Sequence, residues 1–207
     1  MKAMISNGVR GAGILAAFTV VFTALMAGAY SLTREIVLKN EEQARTQLIA
    51  QTLPAGSYDN NLLADTRLLS AEDSRRLGND KPASIYLAKK GGKTVAAVLE
   101  AVAPDGYAGK IQLLVAVAAN GNVLGVRVVT QQETPGLGDY IDAAKSNWIR
   151  QFEGKSLASP EVERWKVRKD GGVFDSNAGA TISPRAVVGA VKRTLEYVVV
   201  NRTTIFE

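Results

Sequence analysis

Residues 84–130 read SIYLAKKGGKTVAAVLEAVAPDGYAGKIQLLVAVAANGNVLGVRVVT, and they hold four runs rich in Val, Ile, Leu and Tyr. Short turn sequences separate these runs: Lys-Gly-Gly, Pro-Asp-Gly and Asn-Gly. Apolar, β-branched runs bounded by such turns are typical of strands joined by hairpins. The stretch therefore predicts an antiparallel meander of four strands, at 84–88, 94–102, 110–118 and 122–130.

Upstream of these strands, residues 11–33 contain no charged side chain. A helix rises about 1.5 Å per residue, so this segment is long enough to cross a hydrocarbon core of about 30 Å. Lys2 and Arg10 precede it, and Arg34 and Glu35 end it. Because the apolar stretch is longer than the core of a typical signal peptide, about 7–15 residues, an uncleaved membrane anchor is predicted. A cleaved signal peptide remains the alternative, because Ala27-Gly28-Ala29 is an acceptable cleavage site.

Helical patterns are predicted on both sides of the sheet. Residues 34–53 form a predicted helix that ends before Pro54, and a polar connector follows at 58–66. After the strands we predict a helix over 140–152 and a strand over 163–169. The last predicted helix has Ser183 as its N-cap and Pro184 at its first position, with a core-facing stripe of Val187, Val191, Leu195 and Val198.

Together these elements predict an α+β fold in three parts. The N-terminal tail and a single transmembrane helix occupy residues 1–33, and a helical stalk and connector occupies 34–82. One domain, an antiparallel sheet flanked by helices, occupies 83–207.

The composition narrows the possible chemistry. The formal net charge is +5, but the Lys and Arg residues are spread along the chain without interleaved aromatic residues, so nucleic-acid binding is not predicted. The chain has neither Cys nor His, which removes thiolate chemistry and the commonest metal and haem ligand. No metal site is predicted, and redox work by this protein would require an organic cofactor.

A second informative stretch runs FDSNAGATISPRAV over residues 174–187. Gly179 and Ala180 place small residues beside the Thr181 hydroxyl, immediately before the predicted start of the last helix. A helix N-terminus offers unpaired N–H groups to a phosphate, and Arg185 could add a charge-assisted contact. A plain capped helix after a turn explains the same residues, and the residues alone leave both interpretations open.

This stretch resembles the flavin-attachment motif of the FMN-binding domain family, Asp-x-x-(Ser/Thr)-Gly-Ala-Thr. Asp175, Gly179, Ala180 and Thr181 match the motif, while Ala178 stands where the family usually has Ser or Thr. The resemblance implies a covalent FMN, joined through a phosphoester to Thr181 by a flavin transferase that recognises Asp175. It extends to residues 132–138, which implies that Glu133, Thr134, Gly136 and Leu137 line the flavin ring; without it, a tight turn is the simpler interpretation of that loop.

Within that family, the order of the motifs is similar to that of the G subunits of Rnf-type electron-transport complexes. The resemblance implies an electron-carrying subunit of a membrane complex that exchanges electrons between ferredoxin and NAD(H) and moves ions. Its partners would be the other membrane subunits, in a bacterial inner membrane, with the C-terminal domain on the periplasmic side. Three alternatives stay open: a C subunit of the sodium-translocating NADH:quinone reductase, a membrane-tethered binding or assembly protein with a degenerate flavin site, and a cleaved, soluble periplasmic flavoprotein.

Overall fold

The computed structural model describes the backbone of residues 2–207 and the side chains of residues 7–41 and 43–207. The side chain of Lys2, one of the basic residues expected before the anchor, lies outside the described part. Two compact units are present, one ending at Arg45 and the other spanning Thr46–Glu207.

A single helix, α1 (Lys2–Gln51), begins the chain and includes both the predicted anchor and the predicted stalk helix. Its uncharged part exposes large apolar side chains such as Ile14, Phe18 and Leu25. The hydroxyl groups of Thr19 and Thr33 donate to main-chain carbonyl groups four residues earlier, both at 2.8 Å. Polar groups that are satisfied within the helix suit a hydrocarbon environment. Within the described residues, this is the one helix that is long and apolar enough to cross a membrane.

The second unit contains an antiparallel sheet in the order β1-β2-β3-β4-β5. Its strands are β1 (Thr66–Leu68), β2 (Ser84–Lys90), β3 (Lys93–Gly106), β4 (Gly109–Ala118) and β5 (Val123–Thr130). The predicted four-stranded meander is thus confirmed. The short β1 was not predicted; it pairs with β2 through Arg67 opposite Ile85 and adds a fifth strand at the edge of the sheet.

Both faces of the sheet are covered, as alternate residues of β3 show. Leu99 and Ala101 belong to the larger core, which packs against helix α3 (Ile182–Val200). Val98 belongs to a second core on the opposite face, together with Ile49 at the end of α1. Since successive side chains of a strand point to opposite faces, a strand covered on both faces is apolar throughout. Two short helices, α2 (Ala71–Arg76) and α4 (Arg202–Phe206), complete the unit.

The predicted helix over 140–152 is wrong. Two 3₁₀ turns, Asp139–Ile141 and Trp148–Phe152, replace it. Ser146 Oγ donates to the Tyr140 carbonyl at 2.6 Å and accepts from the Trp148 N–H at 3.0 Å. Such local side-chain bonds compete with the hydrogen bonds of a regular helix.

The predicted strand over 163–169 is also wrong. The segment contains 3₁₀ turns at Val162–Arg164 and Arg168–Asp170, and Val167 makes only an isolated bridge to Phe174. Trp165 and Val167 are both buried, which produces the alternating pattern of a strand in a segment that joins no sheet. The four-residue stripe predicted on the last helix is confirmed, because all its members are buried.

Candidate functional site

The attachment loop, residues 175–181, connects a buried aromatic cluster to helix α3. Phe174, directly before the loop, is fully buried. Its ring centroid lies 4.7 Å from that of Phe152 and 4.9 Å from that of Trp165. The large apolar area of these rings fixes the point from which the loop departs.

Two aromatic side chains hold the attachment loop through hydrogen bonds. The Tyr140 hydroxyl donates to the Ala180 carbonyl and accepts from the Asn177 N–H, both at 2.9 Å. Trp148 Nε1 donates to the Asp175 carbonyl at 2.6 Å. Burial raises the pKa of Tyr140, so its hydroxyl stays protonated and can donate at neutral pH. No sequence pattern indicates this role of Tyr140, since its partners are main-chain groups 37 and 40 residues away.

The loop ends at Thr181, which is 9% exposed and occupies the N-cap position of the 19-residue helix α3. Within the described part of the chain, its side chain makes no capping hydrogen bond. Gly179, two residues earlier, has φ +81°, a conformation that favours glycine. The Thr181 hydroxyl therefore lies at the positive end of a long helix without being used to cap it.

The start of this helix differs from the prediction. Ile182 is its first residue, so Ser183 is not the N-cap and Pro184 is not at the first position. Ser183 is buried, and its Oγ accepts a 3.4 Å hydrogen bond from the Tyr107 N–H. Pro184 still lies in the first turn, where a missing N–H costs nothing. Arg185, expected near a phosphate, instead pairs with Asp170 at 2.6 and 2.9 Å.

A cavity of about 170 Å³ lies beside Thr181. It brings together six of the eight site residues predicted from the sequence: Thr181, Ala180, Gly179, Glu133, Thr134 and Leu137. Four further lining residues were not predicted: Tyr107, Gly138, Ile182 and Ser183. No lining side chain within the described residues is Lys or Arg, so positive charge at the cavity comes from the N-terminus of α3.

The other two predicted residues lie outside the cavity lining. Gly136 has φ +77° and its N–H donates to Asp139 Oδ1 at 2.8 Å, which shapes the turn after Glu133. The exposed Asp175 carboxylate pairs with Arg168 at 2.8 Å. Ala178 is exposed and does not line the cavity, so the hydroxyl that it lacks would face the surface.

Glu133 is the buried charged residue of the cavity wall, at 5% exposure. Its Oε1 accepts from the Ala108 N–H at 3.3 Å, in the turn between β3 and β4. Its Oε2 is buried without a hydrogen-bond partner among the described residues. At the mouth of the cavity, Tyr107, Leu137 and Ile182 are 69%, 57% and 45% exposed. The site thus combines a hydroxyl at a helix N-terminus, a buried acceptor and an apolar rim.

Comparison with known proteins decides the family. The model of the FMN-binding domain matches residues 106–196, and that of the RnfG N-terminal region matches residues 1–52. A relative in Shewanella baltica, named as the G subunit of an ion-translocating oxidoreductase complex, is 45% identical over 98% of this chain and 93% of its own length. The chain belongs to this G-subunit family.

Further G-subunit relatives agree with this membership. One from Vibrio cholerae is 48% identical over 89% of the chain and 87% of its own length, and one from Pseudomonas aeruginosa is 47% identical over 93% and 89%. The family predicted from the motifs is therefore confirmed.

A solved structure supports the fold. It is the crystal structure of the C subunit of the sodium-translocating NADH-quinone reductase from Parabacteroides distasonis, with a TM-score of 0.59. The match covers 82% of this chain and 96% of the other, and the two sequences are 19% identical. At that identity the likeness is one of fold alone.

Proposed function

We propose that this member of the G-subunit family is an electron-transfer subunit of an ion-translocating oxidoreductase, and that it carries FMN joined by a phosphoester to Thr181. The observation that carries the proposal is the buried Thr181 hydroxyl, which lies at the N-terminus of α3, lines a cavity and makes no capping hydrogen bond in the described part of the chain. Bound FMN would supply the capacity to accept and release one or two electrons.

The residues around the cavity fit this cofactor. A phosphate joined to Thr181 would meet the unpaired N–H groups and the positive end of α3. Glu133 and Thr134 offer polar atoms along the wall, and Leu137 offers apolar surface at the mouth. Gly136 would contribute by shaping the turn that positions these residues. Gly179 and Ala180, on the other side, would let the cofactor approach the backbone.

The small cavity has a consequence for electron transfer. Ligand pockets usually enclose about 300–1,000 Å³, whereas this cavity holds about 170 Å³. The protein would therefore enclose only part of the cofactor and leave much of its ring at the mouth, between Tyr107, Leu137 and Ile182. A ring at the surface can approach the cofactor of a partner protein, and the covalent bond would prevent its loss to solvent.

Attachment needs a flavin transferase that joins FMN to the Thr181 oxygen with a net loss of one water molecule. The exposed Asp175 lies on the attachment loop, where such an enzyme could contact it. Ala178 is exposed on the same loop. We infer that the transferase reads these outward-facing positions and reaches the Thr181 hydroxyl from the cavity that it lines.

The predicted anchor bears on the cellular location of the protein. We propose that residues 1–33 span the bacterial inner membrane once, that 34–82 form a stalk and connector, and that the FMN-binding domain at 83–207 lies on the periplasmic side. The partners would be the other membrane subunits of an Rnf-type complex, which exchanges electrons between ferredoxin and NAD(H). Tethering would raise the local concentration of the domain near them. A C subunit of the sodium-translocating NADH:quinone reductase is not favoured, because that comparison supports the fold alone.

The test uses membranes that contain the assembled complex with the wild-type chain, Thr181→Ala or Thr181→Ser. Ferredoxin-dependent NAD⁺ reduction should be lost with alanine and retained in part with serine, which keeps an esterifiable hydroxyl. Immunoprecipitation should find the partner subunits with all three chains. Full activity of the assembled alanine variant would contradict an electron path through Thr181, and it would favour a tethered binding or assembly role.

A further inference from the structure

The Glu133 carboxylate is only half satisfied by the protein chain. Oε1 accepts from the Ala108 N–H at 3.3 Å, whereas Oε2, buried at the cavity wall, has no partner among the described residues. A buried acceptor without a donor costs stability, and more so when it carries charge. A protein retains such a group when an ordered water or a bound ligand supplies the missing donor.

Gly138 makes room for this carboxylate. A Cβ atom at Gly138 would lie 2.5 Å from Glu133 Oε2, whereas one at Gly106 would first meet the Gly109 carbonyl oxygen at 2.3 Å, so the turn between β3 and β4 already requires glycine there. Gly138 has φ −88°, which any residue can adopt, so its backbone does not require glycine. Glycine is required at position 138 because the Glu133 side chain occupies the space that a Cβ atom would need. The absence of a side chain at Gly138 therefore accommodates the buried carboxylate.

We propose that Glu133 Oε2 is the acceptor that positions the bound cofactor, by accepting a hydrogen bond from FMN beyond its phosphate. This inference rests on the proposed function. The phosphate cannot be the partner, since it is an anion without a donor and would repel the carboxylate. The donors that FMN offers are the ribityl hydroxyls and the imide N–H of the ring. Glu133 is thus a positioning residue that limits the motion of a cofactor otherwise tethered at one atom.

The Glu133→Gln variant distinguishes between the two candidate donors, the imide N–H and a ribityl hydroxyl. The amide oxygen of Gln must accept from the Ala108 N–H, so its NH₂ group faces the cavity and an acceptor becomes a donor. The imide N–H is a donor only and would lose its partner. A ribityl hydroxyl can turn and accept from the NH₂ group instead. Glu133→Ala removes the acceptor, so the hydrogen bond is lost whichever of the two groups donates it.

The experiment measures the motion of the flavin ring by time-resolved fluorescence anisotropy. Full-length wild type, Glu133→Gln, Glu133→Ala and the exposed control Glu163→Gln are each co-expressed with a flavin transferase and purified in detergent. Intact mass reports FMN loading, and circular dichroism reports folding. In Glu133→Ala we expect the population of freely rotating flavin rings, relative to rings held against the protein, to rise by about tenfold. This is the effect of losing one hydrogen bond to a charged group. The control should match wild type.

Each outcome has one meaning. A comparable rise in Glu133→Gln identifies the imide N–H as the donor, and a wild-type value in Glu133→Gln identifies a ribityl hydroxyl. Unchanged motion in Glu133→Ala overturns the inference. A folded Glu133→Gln chain that carries no FMN also overturns it, since the carboxylate would then act in attachment. A wild-type chain without FMN contradicts the proposed function instead.

Discussion

Single residues determine where the attachment loop lies, and Tyr140 contributes most to its position. Its hydroxyl satisfies a carbonyl and an N–H of the loop at the same time, at Ala180 and Asn177. Its ring meets that of Trp148 edge-on at 5.9 Å, and the Trp148 indole N–H binds the start of the loop. The two side chains thus hold both ends of the segment that precedes Thr181.

Tyr140→Phe should lower the free energy of unfolding by about 1–3 kcal/mol, because it leaves two main-chain groups of the loop without a partner. FMN loading by the transferase should also fall, since the loop loses its fixed position. Chemical denaturation and intact mass measure these effects. Tyr30→Phe, at an exposed tyrosine of α1, is the matched control and should change neither quantity. Wild-type stability and loading in Tyr140→Phe would refute this role.

The contrast between Thr181 and Tyr140 shows which residue roles can be predicted from the sequence and which cannot. Thr181 follows Gly179-Ala180 in a recognisable local motif, so its place at a helix start was predictable. Tyr140 and the wall residue Tyr107 act through groups distant in sequence, and no local pattern reports such contacts. Glu133 was predicted beside the site from the resemblance, but its half-satisfied carboxylate required the structure.

At the scale of secondary-structure elements, the connector at 58–66 is ordered by side-chain contacts with β2. Asn60 Nδ2 donates to Asp65 Oδ2 at 2.7 Å and to the Leu87 carbonyl at 2.8 Å. The Lys89 ammonium forms an ion pair with Asp65. Hydrogen bonds from Lys89 and then from Asn60 lower the pKa of Asp65 below its ordinary value. The connector therefore covers the second core as a defined structure.

This cluster predicts a component of acid sensitivity. A carboxylate with a lowered pKa in the folded state stabilises the protein above its unfolded pKa of about 3.9, and the contribution is lost as pH falls through the folded pKa. Asp65→Asn should reduce stability at neutral pH and flatten the decline of Tm between about pH 5 and pH 2. The exposed Asp105→Asn should retain the wild-type slope. An unchanged slope in Asp65→Asn would count against the ion pair.

Some of the strands and helices could be predicted from the sequence and others could not. Strands β2 to β5 are apolar runs separated by glycine turns, and both signals are local. Strand β1 has three residues, too few for a pattern, and it is defined only by its pairing with β2, in which Arg67 lies opposite Ile85. The segments 140–152 and 163–169 have the apolar spacing of a helix and a strand. In the first, Ser146 forms a hydrogen bond with the nearby Tyr140 carbonyl; in the second, Val167 forms only an isolated bridge with Phe174. Their conformation depends on contacts that spacing does not encode.

At the scale of the whole molecule, the proposed topology is an anchored domain on one side of a membrane. The chain contains no Cys, so an introduced cysteine is a unique label. With the exposed Lys93→Cys in the C-terminal domain, a membrane-impermeant maleimide should label the protein in intact cells with a permeabilised outer membrane. Asn7→Cys, before the predicted span, should react only after lysis. The reverse pattern would place the domain in the cytoplasm, and labelling of both in intact cells would contradict a single span.

The central claim is a covalent FMN on Thr181, and intact mass tests it most directly. Full-length protein co-expressed with a flavin transferase is compared with Thr181→Ala and with Thr134→Ala, which removes another threonine of the same cavity. We predict that wild type and Thr134→Ala gain the mass of FMN less one water, that the peptide carrying the gain contains Thr181, and that Thr181→Ala gains nothing. An unmodified wild-type mass beside an active transferase, or a full gain in Thr181→Ala, would contradict the claim.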